Sequence, residues 1–566
     1  MRTLNFSSKA LLLLILLALC GTLKAASPDP VRGTKGMVVS ASDLASQVGL
    51  LILKRGGNAV DAAVATGFAL AVTYPPAGNL GGGGFMVIHL KNGKDIALDY
   101  REKAPIRASK NMYLDSLGNF DLAKSTEGFL SSAVPGSVAG LIYALEHYGT
   151  MKLEDVIQPA IDIATDGFPL SFRLSEAMAS EFSQFQKYPS SSKVFIHNGE
   201  PLREGFVFKQ PDLAKTLSLI KEKGKDGFYK GEIAELIEQQ SRQMGGIITK
   251  EDLENYSVVE KEPVKGTYRG YNIVSMPPSS SGGIALIEAL NILENYSFTK
   301  EDWNSSTYIH RMVEALRYVY ADRSKHLGDE AFYPVPKEWL TSKEYAKTIF
   351  SKISGRAISS KDVLPGSEPM HESMQTTHYS VADQYGNAVS TTTTLNSSFG
   401  NKLVVEGAGF LLNNEMDDFS AKPGEPNQFG LIGSEANSIQ PGKRMLSSMT
   451  PTIVLKDNKP FMVIGSPGGS TIITVVLQTI MNVLDFHMNI QEAIDAPRIH
   501  HQWLPDELYY EPFGVSKDTF ENLKNMGYIF GGERTLGRAE GILIDQNNNT
   551  FYGATDPRGY GQAAGF

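Results

Sequence analysis

The segment MQTTHYSVADQYGNAVSTTTTLNSSFG, Met374 to Gly400, gathers hydroxyl side chains in a chain of which 20% of residues are charged. A threonine hydroxyl becomes a useful nucleophile when a base takes its proton. Were the peptide bond between Gln375 and Thr376 cut, Thr376 would gain a free α-amine able to act as that base, and no histidine would be needed. The Oγ of Thr376 can make the cut itself, by attacking the Gln375 carbonyl in an N-to-O acyl shift. A competing reading takes these threonines as strand residues, because β-branched side chains suit pleated sheets. On spacing alone the strand reading prevails, since strand threonines far outnumber nucleophiles.

Other patterns bear on the same choice. In GSPGGS, Gly465 to Ser470, a strand runs into glycines and then a helix with Ser470 expected as its cap. Backbone amides at such a turn point one way and can stabilise a negative oxygen. No Gly-Lys-Ser/Thr follows, which disfavours a phosphate loop there and in GGGGF (Gly81 to Phe85), where close backbone packing is the better reading. Arg101 and the Asp417-Asp418 pair read by themselves as solvated surface charge. His378, two positions after Thr376, invites a relay role, but an N-terminal amine makes it unnecessary and a structural role is expected. The ten histidines include His500-His501, without zinc-site spacing. No cofactor is implied.

These residues need elements to hold them. DLASQVGLLILKRGGNAVDAAVATGFALAV (Asp43 to Val72) predicts two helices joined at Gly56-Gly57, and the following stretch predicts strands around an Asn92-Gly93 turn. From about Glu127 to Lys261 the pattern is mostly helical. A long helix is expected at YIHRMVEALRYVYADRSKH, where Ile309, Met312, Val313, Leu316 and Val319 share a face. Residues Ser351 to Gln375 are polar and aperiodic and read as an exposed loop. Beyond them come a hairpin around Gln384–Asn387, strands between Met449 and Ser470, and an apolar helix. The expectation is a helical first part, a loose joint and a compact α/β second part, with the threonines at the joint.

The chain has 566 residues and a net charge of −9, without a basic run, which argues against nucleic acid as a partner. Arg2 and Lys9 precede the apolar run Ala10 to Cys20, and small residues follow it. The pattern predicts an export signal over residues 1–25, too short to span a membrane. Its removal would take away Cys20, the only cysteine, leaving neither disulfides nor cysteine catalysis. Lipid anchoring at Cys20 is the minor alternative, because bulky Leu19 stands where a small residue is expected. AVDAAVATGFALAVTY carries Asp61 and small residues and reads as a buried helix, so no membrane span is expected.

Seven segments in order, LDYREKAP, PPSSSGG, QTTHYSVAD, LLNNEMDDFSAKPG, RMLSSMTPTIV, GSPGGS and DAPRIHHQWLPDE, together resemble the γ-glutamyltranspeptidase (glutathione hydrolase) family. The likeness extends from about Val39 to the terminal DPRGYGQAAGF. It implies an α+β N-terminal-nucleophile hydrolase fold, a four-layer αββα sandwich. It also implies self-cleavage into a large subunit (26–375) and a small one (376–566) that remain one intertwined unit.

The resemblance implies roles as well. Thr376 is the nucleophile, Thr394 bonds its Oγ, and Gly468 and Gly469 form the oxyanion hole. Arg101, helped by Ser447 and Ser448, takes a substrate α-carboxylate; Asp418, with Glu415 and Asn396, takes the ammonium. Lys422 to Asn437 resembles a lid in which Phe429 replaces the tyrosine of some relatives, removing a hydrogen bond that ties the lid shut. The implied substrates are glutathione and other γ-glutamyl compounds, with water, amino acids or peptides as acceptors, and the implied location is periplasmic or secreted. A cephalosporin acylase of the same superfamily is the nearest alternative; a non-catalytic γ-glutamyl peptide-binding protein is the alternative from another class.

Overall fold

Successive side chains of a strand point to opposite faces, so a strand apolar throughout must lie between two apolar layers. In β2 (Gly36–Ser40), Met37 and Val39 face one way, Val38 the other, and all three are buried. In β3 (Gly83–His89), Phe85 and Val87 alternate with Met86 and Ile88 in the same manner. Val38, Met86 and Ile88 join a core shared with helices, whereas Met37, Val39, Phe85 and Val87 join a second core that contains the other sheet. The computed structural model describes residues 27–363, 376–425, 427–428, 431 and 433–566. The expected export signal with Cys20, the end of the loop with Gln375, and Phe429 lie outside the described residues.

Two seven-stranded antiparallel sheets result. The strands are β1 (Val31–Gly33), β2, β3, β4 (Asp95–Tyr100), β5 (Val259–Lys261), β6 (Val264–Tyr268), β7 (Tyr271–Ser275), β8 (Thr377–Asp383), β9 (Ala388–Thr394), β10 (Thr452–Lys456), β11 (Lys459–Gly465), β12 (Glu540–Asp545), β13 (Thr550–Thr555) and β14 (Gln562–Gly565). One sheet has the order β14-β2-β8-β9-β3-β4-β5 and the other β1-β13-β12-β11-β10-β7-β6. Helices α1 (Asp43–Lys54), α2 (Ala59–Thr73) and α3 (Ser137–Tyr148) cover the first. Helices α4 (Gly282–Leu293), α5 (Ser306–His326) and α6 (Thr471–Leu484) belong to the layer over the second. The four layers are helix, sheet, sheet, helix.

The expectation of a helical first part and an α/β second part is corrected. β1 to β7 precede residue 376, β8 to β14 follow it, and each sheet draws on both stretches. Short, locally aperiodic strands such as β5 are recognisable only beside their partners, which hid them among helical segments.

Local expectations held better. α1 and α2 meet around Gly56-Gly57, and α2 is buried along its whole length. Asp61 is tolerated there because it caps: it accepts from the Asn58 amide (2.7 Å) and from Thr150 N (2.8 Å) and Met151 N (3.0 Å). Among the described residues no helix is long and apolar enough to cross a membrane. The hairpin β8–β9 pairs Thr377 with Thr393 through Ala382 with Ala388. β9 then pairs with β3, setting Thr393 and Thr394 opposite Gly84 and Gly83. A Cβ on Gly82 would sit 2.0 Å from the Thr394 carbonyl, so only glycine permits this approach.

Candidate active site

Thr376 stands at the mouth of β8 and is buried. With Arg101, Thr394, Asn396, Glu415, Asp418, Ser447, Ser448 and Gly469 it lines one cavity. These residues come from the end of β4, the hairpin β8–β9, the loops over residues 395–449 and the turn after β11. Of the residues expected from the sequence and described here, only Gly468 does not line it.

Arg101 is fully buried and is the centre of charge. One terminal nitrogen donates to Glu415 and the other to Asp418, while Nε reaches the Met445 carbonyl at 3.4 Å. A third carboxyl, Glu102, lies 3.6 Å from the guanidinium. The sequence reading assigned Arg101 and the Glu415/Asp418 pair to opposite charges of a ligand; the structure pairs them with one another, because unpaired buried charges are costly. Burial pushes Glu102 up to about 7 and Glu415 well above the usual carboxylate range, against the pull of Arg101. Asp418 is raised too, by burial foremost.

The Ser447-Ser448 corner is braced from behind by PPSSSGG. Ser447 N donates to the Ser279 carbonyl (3.1 Å), and Ser281 N donates to the Ser447 carbonyl (2.8 Å). The sequence reading missed Arg323, which lines the cavity and donates to Ser281 Oγ (2.9 Å) and Ser448 Oγ (3.0 Å). Its signal was present: Arg323 follows Leu316 and Val319 by seven and four positions, so a cation occupies the apolar face of α5. Asn396 has a φ of 73°; its amide donates to Thr394 Oγ1 at 2.8 Å and its side chain to the Asn414 carbonyl at 2.9 Å.

At the turn after β11, Gly468 and Gly469 have φ of 139° and 55°, a region that favours glycine. α6 begins directly afterwards. The expected capping by Ser470 is corrected: its hydroxyl makes no cap bond and instead donates to Gln502 Oε1 at 2.6 Å. Ser470 already has helical backbone angles, which aim its side chain away from the first-turn amides. His378 is fully buried, with Nδ1 2.9 Å from Thr392 Oγ1 and Nε2 3.0 Å from Ser380 Oγ. Burial pulls it down to about 3.

The lid expectation on Phe429 lies outside the described residues, but its neighbours reach the site. Leu431 lines the cavity, Gln428 N donates to Asp417 Oδ2 (3.1 Å), and Ser397 Oγ donates to Gln428 Oε1 (2.9 Å). A buried hydroxyl, a glycine turn beside a helix start, and separable positive and negative groups suit acyl transfer from an amide that bears both charges.

Comparison with known proteins agrees with this chemistry. The family model described as Gamma-glutamyltranspeptidase matches residues 45–566. The Glutathione hydrolase proenzyme of Escherichia coli (strain K12) is 51% identical over 531 residues, covering 94% of this chain and 91% of the relative. That of Pseudomonas sp. (strain A14) is 48% identical, covering 97% of each. Among solved structures, the cephalosporin acylase from Bacillus halodurans superposes with a TM-score of 0.85 at 28% identity, covering 96% of this chain and 98% of that one.

Proposed function

Because the chain belongs to the gamma-glutamyltranspeptidase family, we propose that it is a self-processing γ-glutamyl hydrolase and transferase acting on glutathione and related γ-glutamyl compounds. The observation that carries this reading is the single cavity joining Thr376 to Arg101, Glu415 and Asp418. A γ-glutamyl group ends in a free α-amine and a free α-carboxylate, and that cavity holds partners for both.

Thr376 Oγ first attacks the Gln375 carbonyl; water then resolves the ester, leaving a large subunit (26–375) and a small one (376–566). The new α-amine takes the Thr376 proton as Oγ attacks the γ-amide of the substrate. Gly468 and Gly469 amides meet the negative oxygen, and Thr394 holds the nucleophile. Arg101, Ser447 and Ser448 take the α-carboxylate, while Glu415, Asp418 and Asn396 take the ammonium. The zwitterion thus substitutes its own charges for the Arg101 pairs, and no charge is left unpaired. Departure of the amine product leaves a γ-glutamyl ester on Thr376, which passes to water or to an amino acid or peptide. Export by the leader over residues 1–25, to the periplasm or beyond, belongs to the same reading, with Phe429 expected to cap the pocket.

Superposition on an acylase sustains a second reading, removal of a glutaryl side chain. That substrate lacks the α-amine, so the acidic pair Glu415 and Asp418 favours γ-glutamyl compounds. Intact mass under denaturing conditions tests processing: two chains divided between Gln375 and Thr376 in the wild type, one in Thr376→Ala. Hydrolysis of γ-glutamyl but not glutaryl anilides is expected; the reverse preference sinks the γ-glutamyl reading.

A further inference from the structure

Two guanidiniums line the cavity around Thr376, and the second is Arg323, in the last turn of α5 and 4% exposed. Burial raises Asp418, and Arg101 and then Arg323 oppose that, so both cations face this carboxyl. Serines hold the Arg323 side chain. Its Nε donates to Ser281 Oγ (2.9 Å) and a terminal nitrogen to Ser448 Oγ (3.0 Å). Ser281 Oγ in turn donates to the Ser447 carbonyl at 2.6 Å. A guanidinium only donates, whereas a hydroxyl can donate once and accept twice. Ser448 Oγ is therefore an acceptor toward Arg323, and Ser447 Oγ is an acceptor toward Met449 N at 3.1 Å. Neither serine gives its hydroxyl hydrogen to an acceptor among the described residues, and both line the cavity. The cation repels the Ser448 hydroxyl hydrogen, which turns from Arg323 toward the open side.

We propose that Arg323 is a positioning residue that fixes the polarity of Ser448, holding its O–H as a donor into the cavity, and so makes this corner select an α-carboxylate over an α-carboxamide. The assignment rests on the γ-glutamyl reading above, in which Ser447, Ser448 and Arg101 meet the substrate α-carboxylate. Carboxylate oxygens only accept, and they suit two hydroxyl hydrogens beside a guanidinium. A carboxamide brings an NH2 group that must face the same hydrogens, and a buried donor without an acceptor is costly. Arg323 acts through Ser448 and touches no reacting atom. Without it the Ser448 hydroxyl turns freely, can accept from an amide, and the discrimination falls.

The test gives the processed enzyme two substrates, a γ-glutamyl anilide and the same anilide with its α-carboxylate converted to a carboxamide. The readout is the ratio of their kcat/KM values. Arg323→Met is expected to lower that ratio about tenfold or more, the range of a hydrogen bond to a charged group. Arg323→Lys, which keeps a cation able to donate, restores part of it. Ser448→Ala lowers the ratio too, and adding Arg323→Met lowers it little further, because the two residues act as one unit. A loss shared equally by both substrates in Arg323→Met overturns the role, since a merely structural residue weakens both alike. Full additivity of the two changes overturns it as well. If Arg323→Met does not fold, Ser448→Ala decides, and an unchanged ratio there overturns the role. A wild type that hydrolyses neither substrate removes the γ-glutamyl reading and this role with it. One that hydrolyses the carboxylate substrate leaves that reading standing whatever the variants do.

Discussion

The arrangement around Arg101 makes one guanidinium answer to three carboxyls. Removing a partner from a buried ion pair is worse than never having had it, because the remaining charge stays unpaired. Arg101→Met should therefore destabilise the fold by roughly 3–5 kcal/mol, the cost of breaking a buried pair, as well as abolishing turnover. In an unprocessed Thr376→Ala background, urea unfolding should show part of that loss recovered in Arg101→Met/Glu415→Gln. Strict additivity of the two changes would deny the coupling. Glu102 makes a pH prediction. Its folded value, raised to about 7 from an ordinary 4.5, means the folded state binds more protons than the unfolded one between those limits. Stability contributed by this group is thus lost as pH rises across that window. Glu102→Gln in the same background should lose less stability from pH 5 to pH 7.5 than its parent, and equal losses would place the proton elsewhere.

At the scale of elements, the site depends on how the sheets face each other and on what the turns allow. Ser390, on β9, accepts from Thr452 N (2.9 Å) and donates to the Ile464 carbonyl (3.1 Å), linking the two sheets through one hydroxyl. Ser390→Ala leaves a buried amide unsatisfied, and about 1–3 kcal/mol of stability should be lost. A denaturation midpoint unmoved from the wild type would mean that water replaces the link. The turn after β11 is tighter: a Cβ on Gly468 would lie 2.4 Å from Thr471 Oγ1, and its φ is 139°. On the proposed role of this turn as the oxyanion hole, Gly468→Ala should lower kcat by about 10²–10³ with KM little changed. Loss confined to KM would assign this turn to binding instead.

For the whole molecule, β8 and β9 lie between β2 and β3, so the stretch after residue 376 forms the middle of a sheet begun by the stretch before it. Cutting the chain at Thr376 removes one covalent link and none of this pairing. The two subunits are expected to co-elute after processing and to unfold in one transition, followed by circular dichroism and size exclusion. Two separable transitions would contradict a single intertwined core. Subunits expressed alone should be insoluble, since each would expose unpaired strand edges.

What the sequence determined by itself was local or chemical. Hydrophobic period marked α1, α2, α5 and the β8–β9 hairpin, since each is decided by neighbours in the chain. The order of seven motifs identified the family and, through it, residues that the structure gathers around Thr376. Tertiary structure decided the rest. Only pairing across the chain revealed that strands before and after residue 376 share both sheets. Burial joined Arg101 to Glu415 and Asp418, because water screens such charges at a surface and a closed cavity does not. Arg323 stands out in the sequence only as a cation on the apolar face of α5; the fold supplies its partner, since its guanidinium reaches Ser448.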